Sequence, residues 1–255
     1  MARPHRSTLE RREALLRLVN SGTARVEELA ERCEVSPSTV RRDLAALEAD
    51  GHLSRTYGGA ITPAPFHDRS LTERLAVNTE SKSGIGRAAV GLVHAGATIF
   101  VDAGSTTLAL VDALTDVEDV TVVTRGLENA ITLVGRPGIS VHVAGGALTP
   151  ASHGTTGPLA LEALGRFAFD LAFLGCDAVS ALQGVGEPTL EEAYVKEFAA
   201  RRAHRTVVLA DASKLRVRGV AAWAPLPEGW TLVTDARDED ALEPFARAGV
   251  DIIRA

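Results

Sequence analysis

Ser36-Pro37-Ser38-Thr39-Val40-Arg41-Arg42-Asp43-Leu44 is the stretch on which the fold of the N-terminal part turns. Serine followed by proline is a helix start. The hydroxyl at the N-cap accepts a first-turn N–H, and proline at the first helical position has no N–H to lose. Each helical residue advances about 100° around the axis. With Val40, Leu44 and Leu47 toward a core, Ser38 and Arg42 point nearly opposite, flanked by Thr39 and Arg41. Hydroxyls and arginines on the outward N-terminal half of a helix suit the major groove, where arginine pairs with guanine edges. A helix N-terminus also favours a phosphate. The alternative is a solvated face, with Arg41 and Arg42 paired to Asp43 and Glu48.

The neighbouring sequence extends this helix into a domain. Upstream, Ala14, Leu15, Leu18 and Val19 form one apolar stripe, predicting a helix over about 7–20 that Ser21-Gly22 stops. Val26, Leu29, Ala30 and Cys33 repeat at i, i+3, i+4, i+7 and predict a second helix, followed by a tight turn at Glu34-Val35. Downstream, Leu53 to Ile61 alternates weakly around Gly58-Gly59, as a short hairpin does. Three short helices and a hairpin over 1–62 read as a winged helix-turn-helix, with Arg55 and Tyr57 on the hairpin placed to reach the backbone or minor groove of DNA.

Charge agrees only in its distribution. The 255-residue chain carries a formal net charge of −6. Residues 1–62 hold 10 basic and 9 acidic residues, and all ten basic ones are arginines. That surplus is too small to identify a DNA binder, so the positions of the arginines carry the argument. A composition 45% hydrophobic and 24% charged is that of a soluble globular protein with ample core. The two cysteines, Cys33 and Cys176, fall in different predicted domains with no metal-ligand spacing around them. No metal or cofactor is expected. No apolar run approaches the roughly 18 residues of a membrane span, and the polar, basic start has no leader pattern; a cytoplasmic protein without a membrane partner is expected.

Residues 63–81, with Pro63, Pro65, Arg69, Glu73 and Arg74, read as a linker that turns helical near its end. From 82 to 255, short apolar runs alternate with helical stretches: Thr98–Val101, Val120–Val123, Ile139–Val143, Leu171–Leu174, Thr206–Ala210, Leu232–Val233 and a last one from Val250 to Ile253. This alternation predicts an α/β domain with a parallel-rich sheet covered on both faces. Several runs end in small or acidic residues, and open α/β sheets bind ligands at the carboxyl ends of their strands. Asp102, Gly104, Ser105, Thr106 and Thr107 lie between a strand and a helix, where glycine permits the turn and hydroxyls with main-chain N–H groups suit a phosphate or sugar hydroxyls. Helix capping alone is the other reading of that run. Gly145 and Gly146 allow a close approach or simply make a turn; Asp177 lines the pocket or caps.

The segment Arg12–Leu16, Val26–Ala30, the run Val35–Leu44 and Tyr57-Gly58-Gly59-Ala60 together resemble the DeoR family of bacterial regulators. That resemblance runs on through most of the chain. It implies a winged helix fused to a sensor domain resembling ribose-5-phosphate isomerase and glucosamine-6-phosphate deaminase, and a repressor of sugar-catabolic genes that leaves its operator on binding a sugar phosphate. Asp102–Thr107 is similar to the family's Asp-x-Gly-Thr/Ser-Thr motif, and Asp211-Ala212-Ser213-Lys214 to its Asp-x-Ser-Lys stretch. Lys214 would then supply charge for a phosphate and Ser213 a hydroxyl. Lys196 would point toward the pocket, although an i, i+4 surface pair with Glu192 also accounts for it. The chain departs from the family with Arg125 after Thr124, where asparagine is usual, with Ala178 after Asp177, and with no glycine after Lys214 until Gly219. Arg125 could add a phosphate contact or obstruct the usual sugar.

The DNA-contacting candidates are therefore Ser36, Ser38, Thr39, Arg41, Arg42, Arg55 and Tyr57. The effector-contacting candidates are Asp102, Gly104, Ser105, Thr106, Thr107, Thr124, Arg125, Gly145, Gly146, Asp177, Lys196, Ser213 and Lys214. Double-stranded DNA, a phosphorylated sugar and a second copy of the chain are the expected partners. Two other functions compete: an isomerase using Asp102, Asp177 or Asp211 as base, and an oligomeric DNA-binding regulator that answers to no ligand.

Overall fold

A computed structural model describes residues 70–255 except 116 and 218, and before them residues 8, 11–12, 14–15, 18–19, 25–49, 54–56 and 59–61. It divides into two compact units, Met1–His67 and Asp68–Ala255.

In the first unit, the described residues between 8 and 19 are helical, and helices Val26–Arg32 and Pro37–Ala49 follow. The turn between those two is a Schellman closure: Val35 N–H donates to Ala30 O (3.0 Å) and Glu34 N–H to Glu31 O (3.2 Å). Glu34 takes the left-handed conformation, φ 53°, that glycine usually fills at this position. Leu15, Val19, Val26, Leu29, Ala30, Val40, Leu44 and Leu47 close the core from all three helices. Strands β1 (Ser54–Thr56) and β2 (Gly59–Ile61) pair antiparallel, with Thr56 opposite Gly59, and make the expected hairpin.

The second unit is built on seven parallel strands: β3 (Thr98–Val101), β4 (Val120–Thr124), β5 (Ile139–Val143), β8 (Phe169–Leu174), β11 (Ala203–Leu209), β13 (Thr231–Thr234) and β14 (Asp251–Arg254). Their spatial order is β14-β13-β11-β8-β3-β4-β5. All seven coincide with an apolar run in the sequence, within a few residues. Successive side chains alternate between the faces. Ile99 and Val101 pack with Ile85, Ala89 and Leu110, whereas Phe100 packs with Leu164, Val195 and Ala199. The chain runs outward from β3 through β4 to β5, then returns to place β8 on the other side of β3. The order therefore reverses between β3 and β8, which is where an open sheet leaves a crevice at its carboxyl ends.

Two features depart from the sequence reading. Helices Leu71–Leu75 and Thr79–Val90 belong to the second unit, so much of the expected 63–81 linker is sensor structure. A capping box closes the first of them: Ser70 accepts from Glu73 N–H, while Ser70 N–H donates to Glu73 Oε2. There is also a small antiparallel sheet of β9 (Ala178–Ser180), β10 (Gly184–Glu187) and β12 (Ala222–Ala224), ordered β12-β10-β9, and a two-residue pairing of β6 (Ala147–Leu148) with β7 (Thr155–Thr156). Among the described residues no helix is long and apolar enough to cross a membrane.

Candidate functional site

In the first unit the helix Pro37–Ala49 presents the predicted face. Val40, Leu44 and Leu47 are buried, while Ser38, Arg41 and Arg42 are exposed and Thr39 is half-buried. Ser36 caps the helix: its Oγ accepts from Thr39 N–H at 3.2 Å and lies 2.8 Å from Ser38 Oγ and 2.9 Å from Thr39 Oγ1. These three hydroxyls form one exposed cluster at the positive end of the helix.

Of the alternative partners expected for the arginines, Asp43 is engaged elsewhere, and the side chain of Glu48 lies outside the described residues. Asp43 is buried and bonded by Arg11 (2.7 Å) and Arg12 (3.2 Å), both from the preceding helical segment. Arg41 Nη2 stands 3.5 Å from Glu27, an exposed pair of small energetic weight, and Arg42 makes no ion pair with a described residue. Asp43 thus ties the helix to its neighbours from behind and leaves the arginine face outward. The side chain of Arg55, and Tyr57 altogether, lie outside the described residues.

In the second unit the β3/β8 switch point carries a dense group of buried charges. Asp102, following β3, is fully buried: its Oδ1 accepts from Ala103 N–H (2.8 Å) and Arg125 Nε (2.5 Å), and its Oδ2 from Gly175 N–H (3.1 Å), with Lys196 Nζ at 3.0 Å. Burial alone would push the Asp102 carboxyl up; the Arg125 guanidinium and the Lys196 ammonium overcome it and hold the carboxyl below its ordinary range. Lys196 also donates to Gly175 O at 2.9 Å and pairs with Glu187. Burial disfavours its charged form, but Asp102 and Glu187 more than compensate and raise its pKa. Arg125 Nη2 stands 3.7 Å from Glu192 Oε1, which accepts from Ser152 Oγ at 2.8 Å. Asp177 receives Arg74 (3.5 Å) and Lys214 (3.7 Å).

Beside this group, Gly104 (φ 145°) precedes helix Ser105–Ala113 with no side-chain cap. Thr107 Oγ1 donates to Gly104 O at 3.0 Å, so that hydroxyl braces the turn. Thr124 is buried and structural: its Oγ1 donates to Val101 O (2.6 Å) and accepts from Gly126 N–H (3.0 Å). Asn129 Nδ2 donates to Asp102 O at 2.7 Å and joins the β3 and β4 ends.

The structure thus brings Asp102, Arg125, Asp177, Lys196 and Lys214 together, with Gly104–Thr107 adjoining. Ser213 is exposed, and its N–H donates to the capping Asp211 at 3.0 Å. Gly145 and Gly146 are exposed in the β5–β6 turn. A Cβ at Gly146 would meet Thr156 O at 2.3 Å, so the hairpin itself requires that glycine. The surface-pair reading of Glu192 and Lys196 fails, because both are buried. Sequence reasoning missed Glu187, Glu192 and Arg74 as members of the group; the i, i+4 spacing of Glu192 and Lys196 was the available signal. A separate groove of about 970 Å³, lined by residues including Leu182, Trp223, Pro244 and Phe245, has only exposed charges, Arg216 and Asp240, and none of its lining residues lies in a strand of the large sheet.

An exposed arginine helix in one unit and a buried charge group at the strand ends in the other fit a DNA-binding regulator with a sensor domain. Residues 11–65 match the DeoR-like helix-turn-helix domain and residues 77–236 the DeoR C terminal sensor domain. The chain belongs to the DeoR family of transcriptional regulators and is not an enzyme. It is 32% identical over 247 residues to the HTH-type transcriptional regulator GlpR of Haloferax volcanii, covering 96% of each chain. It is also 32% identical to the HTH-type transcriptional repressor GlcR of Bacillus subtilis, over 89% of this chain and 88% of that one. The glycerol-3-phosphate regulon repressor of Escherichia coli is 30% identical over 80% of this chain and 82% of its own. Among solved structures, ribose 5-phosphate isomerase A of Methanocaldococcus jannaschii aligns over 54% of each chain, with 20% identity and a TM-score of 0.39.

Proposed function

We propose that this regulator is a cytoplasmic repressor of sugar-catabolic genes that binds its operator as a homo-oligomer and is released by a phosphorylated sugar. The observation that carries the sensing part is the convergence of Asp102, Lys196 and Lys214 beside the helix N-terminus at Ser105, on the switch point of the sheet. First-turn main-chain N–H groups and the helix dipole favour a phosphate there. Buried carboxylates are acceptors for sugar hydroxyls once their present partners shift. The relatives' names support the reading, since one of them is a repressor of a glycerol-3-phosphate regulon. Homo-oligomerisation is supported by the small reach of one helix-turn-helix, which covers a single half-site.

The ligand acts by its different affinity for the DNA-bound and free forms, a coupling of about 1–3 kcal/mol. Arg74 supports a route for that coupling. It bonds Asp177 in the crevice from a helix that begins just past the unit boundary.

The test combines operator release with thermal shift, on the full chain, across pentose and hexose phosphates. A ligand at one hundred times its dissociation constant stabilises the protein by about 2.7 kcal/mol. At least one compound is expected both to raise the melting temperature and to release DNA. Operator binding that no phosphosugar alters would leave the ligand-insensitive regulator as the correct account.

A further inference from the structure

The two edges of the large sheet are finished differently. At one edge, β14 carries an exposed charge at each end: Asp251 pairs with Arg205 at 2.7 Å, and Arg254 with Glu239 at 2.6 Å. Charges on an edge strand discourage a further strand from pairing there. At the other edge, β5 has β4 on one side and no described strand on its other. Gly138 O accepts from Val120 N–H, and Ala144 N–H donates to Thr124 O. Successive residues of a strand turn their main chain to opposite sides. Ile139, Val141 and Val143 therefore direct their N–H and C=O groups to the open edge. The strand itself, Ile139-Ser140-Val141-His142-Val143, has no lysine, acid or proline to blunt it.

The surroundings continue the pattern. From Pro137 to Leu161 the sequence has no Asp, Glu, Lys or Arg, in a chain that is 24% charged. Large apolar side chains stand out beside the strand. Ile131 is 73% exposed and Val134 71%, on and just after the helix Leu127–Leu133, whose Leu133 packs in one core with Ile139 and Val141. Val143 and Leu148 are exposed at the end of β5 and in β6. Single exposed apolar residues need no explanation, but several beside an unguarded strand edge mark a place where another chain docks. Depletion of charge is also what distinguishes the core of such an interface.

Charge identifies the occupant. DNA, or a protein of opposite sign, is drawn to charged side chains, and the run from Pro137 to Leu161 offers none. A second copy brings the same formal charge of −6, so two copies repel least where each is neutral. A strand edge is also complementary to itself: turned about a two-fold axis, its outward N–H groups meet the outward C=O groups of its twin. We infer that a second copy of this chain docks on this edge, β5 pairing antiparallel with the same strand of its partner, with Ile131 and Val134 packed beside the seam. This rests on the homo-oligomer reading above and gives it a surface.

Analytical ultracentrifugation of the full chain without DNA tests it. Wild type is compared with Ile131→Glu/Val143→Glu and with Leu182→Glu, which puts the same charge on an exposed side chain of the separate groove. Wild type is expected to be a dimer or a multiple of one. The double variant is expected to weaken the association at least about a hundredfold, because like charges would face one another across a desolvated seam. Leu182→Glu is expected to leave it unchanged. Hydrogen exchange on the wild type needs no variant: peptides covering 139–143 are expected to exchange at least about tenfold more slowly in the associated protein than after dilution to monomer. A wild type that stays monomeric at every concentration overturns this inference and the homo-oligomer reading together. Association that survives the double variant, that Leu182→Glu removes instead, or that leaves 139–143 unprotected overturns the edge assignment and leaves the homo-oligomer reading standing.

Discussion

The helix Pro37–Ala49 and the strand-end charge group use the same residue types in opposite ways. On the helix, Ser38, Arg41 and Arg42 are exposed, and the buried carboxylate of Asp43 is fixed from behind by Arg11 and Arg12. At the strand ends the charges are inside, and each carboxylate already holds a cation or a hydroxyl. An outward arginine waits for its partner in water and costs the fold little. An inward one must be neutralised before any ligand arrives. Substitution at the first site is therefore expected to alter binding, and at the second to alter folding as well.

The sharpest way to break that contrast is Asp102→Ala. It strips the partner from two buried cations, Arg125 and Lys196, and is expected to lower unfolding stability by about 3–5 kcal/mol, read from urea denaturation. A loss below about 1 kcal/mol would mean that these cations reach water, and the contrast would fail. Arg42→Ala comes next. Operator affinity is expected to fall by about 1–3 kcal/mol in fluorescence anisotropy at fixed salt, with the melting temperature unchanged. Unchanged affinity would remove this helix from the DNA interface.

The last effect concerns pH. Glu187 is held at about 8 against an ordinary 4.5, chiefly by burial. A raised folded value means a contribution fully present below the unfolded pKa and lost as pH climbs through the folded one. Asp102, held low, and Lys196, held high, titrate outside the range from pH 6 to 8. Stability is expected to fall by about 2 kcal/mol between pH 6 and pH 8, and Glu187→Gln to flatten the decline. An equal decline in both proteins would assign the titration to another group.

How far each region was readable from sequence follows from the same contrast. The seven large-sheet strands stand out as apolar runs because parallel strands are covered on both faces. The outward helix face follows from one angle and three aliphatic residues. Asp102 and Asp177 are legible because each follows a strand, whereas Arg125 and Lys214 stand out through the family resemblance, one as a departure from it and one as a match to it. Glu187 escaped because Gly184-Val185-Gly186-Glu187 has no alternation; the stretch pairs with Ala178–Ser180 nearby, but Glu187 itself stands opposite Ala222, distant in sequence. Glu192 was taken for a surface residue because helical spacing does not reveal which face is covered. Arg74 was lost to a linker whose prolines end before the helix that carries it begins.

A methyl group at residue 154 would stand 2.4 Å from Arg125 Nη1. The guanidinium occupies volume that only glycine leaves vacant, so the two positions form a size-matched couple. Substitution has to follow one order through evolution or protein engineering: the smaller residue must come first at 154, and the arginine enters afterwards. A designer who grafts Arg125 into a relative without clearing that position would obtain a misfit, and the missing response would then say nothing about ligand choice.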